Sequence, residues 1–130
     1  MQTPPSGLRD TVLDVVALLV ALALAGPPKA TIASGTTSAP LTISSWCWGT
    51  RCGAPFTAST KTLVAAPGSL VTVVLAFVPK KATLSIGGLA VATAVHGRTL
   101  SWTARRGGGL TLRTTGSRGF VTYVGRLRIR

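Results

Sequence analysis

From Val15 onward the side chains able to do chemistry are two cysteines, one histidine, many hydroxyls and thirteen Lys and Arg, with no Asp or Glu among them. The only carboxylates, Asp10 and Asp14, precede an apolar run near the N-terminus. Reactions that need a carboxylate as acid, base, orienter or hard-metal ligand therefore have none to use in that stretch. His96 has no second His and no free Cys pair to share a metal with, and it sits at a turn signal, His96-Gly97. Ser and Thr are plentiful, but no G-x-S-x-G or S-x-x-K spacing activates one. The expectation is a protein that is not an enzyme and that holds no metal or cofactor.

Cys47-Trp48-Gly49-Thr50-Arg51-Cys52 has the spacing of a stapled hairpin. With Gly49-Thr50 as a two-residue loop, the Gly-first order suits a type II′ turn. Trp48 then pairs with Arg51, and Cys47 faces Cys52 at a non-hydrogen-bonded position, where opposing side chains come closest. A disulfide there closes a short ring and stabilises by about 2 kcal/mol. Four intervening residues are not the C-x-x-C of a redox pair, so the expected role is structural.

Two groups of residues are candidates for binding. If Leu41 and Ile43 face the core, strict alternation puts Cys47 inward and Trp46 and Trp48 outward beside Arg51. That is a stacking surface for a sugar, a base or a lipid headgroup. A bulge at Ser44-Ser45 would instead turn Trp46 into the core. On the last strand Arg126, Arg128 and Arg130 fall on one face, with Arg113 and Arg118 as candidate neighbours. They read as a polyanion contact or as a charge-guarded edge strand. Arg105-Arg106-Gly107-Gly108-Gly109 is a single RGG-like unit, read as a flexible β connection.

The elements that must position these residues are strands. Leu41 and Ile43 alternate with Thr42 and Ser44, and Ala82, Leu84 and Ile86 alternate with Thr83 and Ser85. Leu70 to Val78 is apolar on both faces and reads as a central strand, with Val71, Val73, Leu75 and Phe77 on one side. Val121, Tyr123, Leu127 and Ile129 face opposite to Thr122, Arg126, Arg128 and Arg130. Seven to nine short strands separated by Gly-rich turns describe an antiparallel sandwich or barrel over residues 41–130.

Ahead of it, Val15 to Ala25 is an eleven-residue apolar run, shorter than the ~20 residues of a spanning helix. Arg9 precedes the run, and Ala23-Leu24-Ala25 supplies a small-x-small cleavage pattern. Residues 1–25 thus read as an export signal helix, with an uncleaved anchor and a buried helix as the other readings. Leu24-Ala25-Gly26 matches the start of a bacterial lipobox, but Pro27 replaces the cysteine that lipid attachment needs. Residues 26–40, rich in Pro, Gly, Ser and Thr, read as a flexible linker.

A near-lipobox signal, a polar linker, the C-W-x-x-x-C hairpin and an alternating β body together resemble small bacterial lipoprotein-type envelope proteins with an immunoglobulin-like β-sandwich. Trp102, the Gly107–Gly109 turn and the closing Tyr123-Val124-Gly125-Arg126-Leu127-Arg128-Ile129 are similar to the last strands of such domains. The resemblance implies fold and location and brings no activity with it. The missing lipobox cysteine and the absent acids depart from the pattern.

A net charge of +12 makes contact with polyanions the expected behaviour. The sequence is thus expected to encode an exported, non-catalytic envelope module that touches anionic wall polymers, anionic lipid surfaces or an envelope protein. The alternative is a membrane-anchored or intracellular nucleic-acid-binding β domain.

Overall fold

The computed structural model describes residues 26–53 and 61–130, and these are all β with no helix. In chain order the strands are β1 (Ala30–Ser34), β2 (Thr37–Pro40), β3 (Thr42–Trp48), β4 (Arg51–Gly53), β5 (Thr62–Ala65) and β6 (Leu70–Leu75). There follow β7 (Lys81–Ile86), β8 (Leu89–Val91), β9 (Ala94–His96), β10 (Thr99–Thr103), β11 (Gly108–Gly116) and β12 (Gly119–Ile129). One sheet runs β2-β1-β6-β10-β9; the other runs β4-β3-β12-β11-β7-β8, with β5 lying parallel to the C-terminal part of β12. Every other ladder is antiparallel.

The core lies between the sheets. Val71, Val73, Leu75, Leu100 and Trp102 come from the first sheet; Trp46, Leu84, Leu112, Val121, Tyr123 and Leu127 come from the second. Period two explains the choice: on β12, Val121, Tyr123 and Leu127 are buried while Phe120, Arg126 and Arg128 are exposed. Each fully buried aliphatic side chain here contributes about 1.5–3 kcal/mol relative to exposure.

The structure corrects three expectations and decides between the two readings of β3. First, the stretch 26–40 is not simply a linker, because residues 30–40 form the β1–β2 hairpin across a turn at Gly35. β1 pairs with β6, and Ile32 packs opposite Val73. With Ile32 as its one large apolar side chain, this hairpin has little alternation of its own and takes its burial from its neighbour. Second, the described residues form twelve strands, ten of them within 41–130 where seven to nine are expected, because β4, β8 and β9 are three-residue pieces. Third, β6 is central but buried on one face only: Leu70 and Val74 point outward and are exposed, and the strand stops at Leu75. On β3 the reading with a bulge at Ser44-Ser45 holds, and strict alternation does not. Its register against β12 jumps from Thr122↔Ser45 to Tyr123↔Ile43, leaving Ser44 as the extra residue of a bulge. Residues 1–25, the expected signal segment with Asp10 and Asp14, lie outside the described residues.

Candidate functional site

The bulge decides the fate of the aromatic pair. After Ser44 the parity of β3 inverts, so Trp46 faces Val121 and is buried, while Cys47 faces outward opposite Phe120. Trp48 is half-buried and packs on Phe77, with ring centroids 4.9 Å apart and planes tilted by 59°. Arg51 registers opposite Trp48. The surface of two outward tryptophans beside Arg51 is therefore not formed, because Trp46 belongs to the core and Trp48 gives its ring to Phe77.

The staple forms as the spacing implies. Cys47 and Cys52 are bonded, with Cα atoms 4.0 Å apart, and Trp48 registers with Arg51. Gly49 takes φ +65°, which a Gly-first hairpin turn requires. The disulfide sits on the outward face of the second sheet, at its β4 edge, so it clamps the rim of the sheet rather than filling the core.

The cations that stand within strands are segregated by sheet. None of the five strands of the first sheet contains a Lys or Arg. The strands of the second sheet carry Arg51, Lys81, Arg113, Arg126 and Arg128, and all five are exposed. Of these, Lys81, Arg113, Arg126 and Arg128 alternate with buried or core-packed neighbours and so share the outward face. The first sheet's outward rows are Thr31–Val74–Thr99 and Ala33–Thr72–Ser101, which carry no charge.

Register places the four cations of the second sheet along a diagonal. Arg126 and Arg128 stand two residues apart on β12, about 7 Å along the strand. Arg126 pairs with Gly109, and Arg113 lies four residues further along β11, so the two are about 14 Å apart. Lys81 pairs with Thr115, which puts it about 8 Å from Arg113. Arg130 extends the line past Arg128, its backbone N–H donating to the Ala65 carbonyl at 2.9 Å. Lys81 could be found from sequence only by pairing β7 with β11, which no local pattern reveals.

Arg118 does not join this line. It sits in the β11–β12 turn at the other end of β12, where its carbonyl accepts the Gly49 N–H at 2.9 Å and its guanidinium lies beside the Gly49 turn. Of the five arginines expected to act together, Arg126, Arg128 and Arg130 are adjacent, Arg113 is on the same face at mid-sheet, and Arg118 is apart.

The outward face has relief. An open depression of about 460 Å³ lies where β12 runs between β5 and the start of β11, bordered by Thr62, Gly107, Gly108, Arg126 and Arg128. A second, of about 300 Å³, holds Arg113 among Thr83, Ser85 and Thr111. Arg113 registers with Thr83 on one side and Thr122 on the other, so the charge stands in a bed of hydroxyls. Among the described residues no group of three or more His, Cys, Asp or Glu is gathered that could hold a metal ion. His96 is exposed at the end of β9, opposite Thr99. Arg105 and Arg106 precede Gly107 in the β10–β11 connection.

Comparison with protein-family models, with curated proteins and with solved structures finds no match.

Proposed function

We propose that this chain is a non-catalytic envelope module, exported by its N-terminal apolar segment, that contacts anionic polymers through the outward face of its second sheet. The observation that carries the reading is the segregation of charge. No Asp or Glu lies among the described residues, and Lys81, Arg113, Arg126 and Arg128 share one face, so a polyanion there releases their counterions together. The Cys47–Cys52 disulfide supports export, because such bonds persist in oxidising compartments.

The sandwich itself reads as immunoglobulin-like. Support comes from the strand order β9-β10-β6 facing β5-β12-β11-β7-β8, and from the short β5 running parallel to the last strand.

The test is binding to heparin and duplex DNA over a salt series. Arg126→Ser/Arg128→Ser should weaken both and flatten the salt slope for DNA by about one to two units. Binding unchanged up to 0.5 M salt, where screening acts within about 4–5 Å, would rule out charge as the driver. The nucleic-acid alternative places the body inside the cell, so quantitative thiol labelling of native protein without reductant would favour it.

A further inference from the structure

The arginines at the β12 end border a trough, and the shape of that trough narrows the ligand. We infer that it binds a linear polyol-phosphate chain, with phosphodiesters on Arg126 and Arg128 and hydroxylated, non-aromatic units between them. This rests on the polyanion reading above and adds a shaped site to it.

Four observations carry the inference. The first is that a depression of about 460 Å³ coincides with two same-face arginines whose Cα atoms stand about 7 Å apart along one strand. That spacing suits successive phosphodiesters of an extended chain, and each Arg can take a phosphate with two parallel N–H bonds. The second is that the trough is floored by backbone. Gly107 and Gly108 line the β11 flank of the depression beside Leu127 and Ile129 of β12, and Gly109, opposite Arg126, adds no side chain at its edge.

The third is the lining chemistry. Thr62 registers with Arg126 across the trough, and Thr111, Thr122 and Thr83 continue the face toward Arg113 and Lys81. Hydroxyls of this kind donate to and accept from a polyol. No Trp, Tyr or Phe lines the trough itself, and the exposed Phe120 of this face stands away from it in the Lys81–Thr115 row, so bases in the trough find no stacking platform. The fourth is the scarcity of apolar anchors. Val64 is the one exposed large apolar side chain registered beside these arginines, which is too little to enter a bilayer.

Gly109 makes the inference testable apart from charge. A Cβ there meets nothing within 4 Å, and its φ is not in the left-handed region. Gly109→Leu therefore fills the space beside Arg126 with every cation kept. Gly107 could not serve, because a Cβ there would meet the Leu127 carbonyl oxygen at 2.8 Å.

The experiment measures binding of the full chain, with its disulfide formed, to synthetic poly(glycerol phosphate), to oligo(dT) of equal charge, and to vesicles with and without phosphatidylglycerol. The proteins are the parent, Gly109→Leu, Arg126→Ser/Arg128→Ser and Arg98→Ser, the last removing a charge at the β9–β10 turn. Circular dichroism and thermal melts check that each is folded. The parent should hold the polyol phosphate about tenfold tighter than oligo(dT), and Gly109→Leu should lose about tenfold for that polymer alone. Arg98→Ser should bind it as the parent does. Parent-like binding by Gly109→Leu, equal affinity for oligo(dT), or preferential capture by anionic vesicles would each overturn the trough while leaving the general polyanion reading standing. Absence of binding to any anion would sink both.

Discussion

Tyr123 is the chain's single tyrosine, and it ties the first described residues to the core. Its ring is fully buried between the sheets and its hydroxyl donates to the Pro28 carbonyl at 2.7 Å. Burial raises its pKa above the usual tyrosine value. Above about pH 10 the unfolded chain loses this proton while the native state keeps it, so stability is full below that pH and falls as pH rises. Tyr123→Phe should cost about 1 kcal/mol at neutral pH for the lost hydrogen bond. It should also remove the part of the alkaline fall in melting temperature that this tyrosine causes. Melts of parent and variant at pH 8 to 11, with tyrosinate absorbance followed alongside, check both; an unchanged alkaline limb would refute the assignment. The burial of Tyr123 was legible from alternation along β12, whereas its bond to Pro28 joins residues 95 apart and was not.

Among the elements, the β3–β4 hairpin was the most legible, because its turn, register and disulfide follow from six consecutive residues. Its orientation was legible as a choice between two readings, and the one with a bulge at Ser44-Ser45 holds, inverting the parity counted from Leu41. The hairpin is an edge of its sheet, so losing the staple should loosen it locally. Cys47→Ser/Cys52→Ser, or reduction, should lower stability by about 2 kcal/mol and leave a cooperative transition, because the core is elsewhere. Denaturant unfolding with and without reductant measures this. A loss of the whole transition would mean that the hairpin organises the sandwich. The β1–β2 hairpin shows the opposite case, with strands of Thr, Ser and Ala whose burial comes from β6.

For the molecule as a whole, the absence of side-chain carboxylates from the described residues removes the usual cause of acid unfolding. Native proteins lose stability in acid chiefly because paired or hydrogen-bonded carboxylates must be protonated. Among the described residues no such side chain exists. The melting temperature should therefore change by no more than about 5 °C between pH 7 and pH 3, about 1 kcal/mol for a domain of this size. A steep acid transition would show that a titrating group holds the fold together. Salt should act in the opposite sense to that in a mixed-charge protein, raising stability by screening the repulsion among Arg126, Arg128, Arg113 and Lys81.

Composition and period two were enough to determine an all-β body, the stapled hairpin and a surface without acids, because each depends on residues close in sequence or on a simple count. Tertiary structure alone decided where the charge stands. Alternation along one strand says which residues share a side, but not which sheet the strand joins, which partner lies beside it, or where one extra residue reverses the count. Arg126 and Arg128 came to border a depression only when Gly107, Gly108 and Thr62 were brought beside them, and Lys81 joined their face only through β11. Trp46 faces inward because the extra Ser44 inverts the parity of β3, one of the two readings the sequence offered.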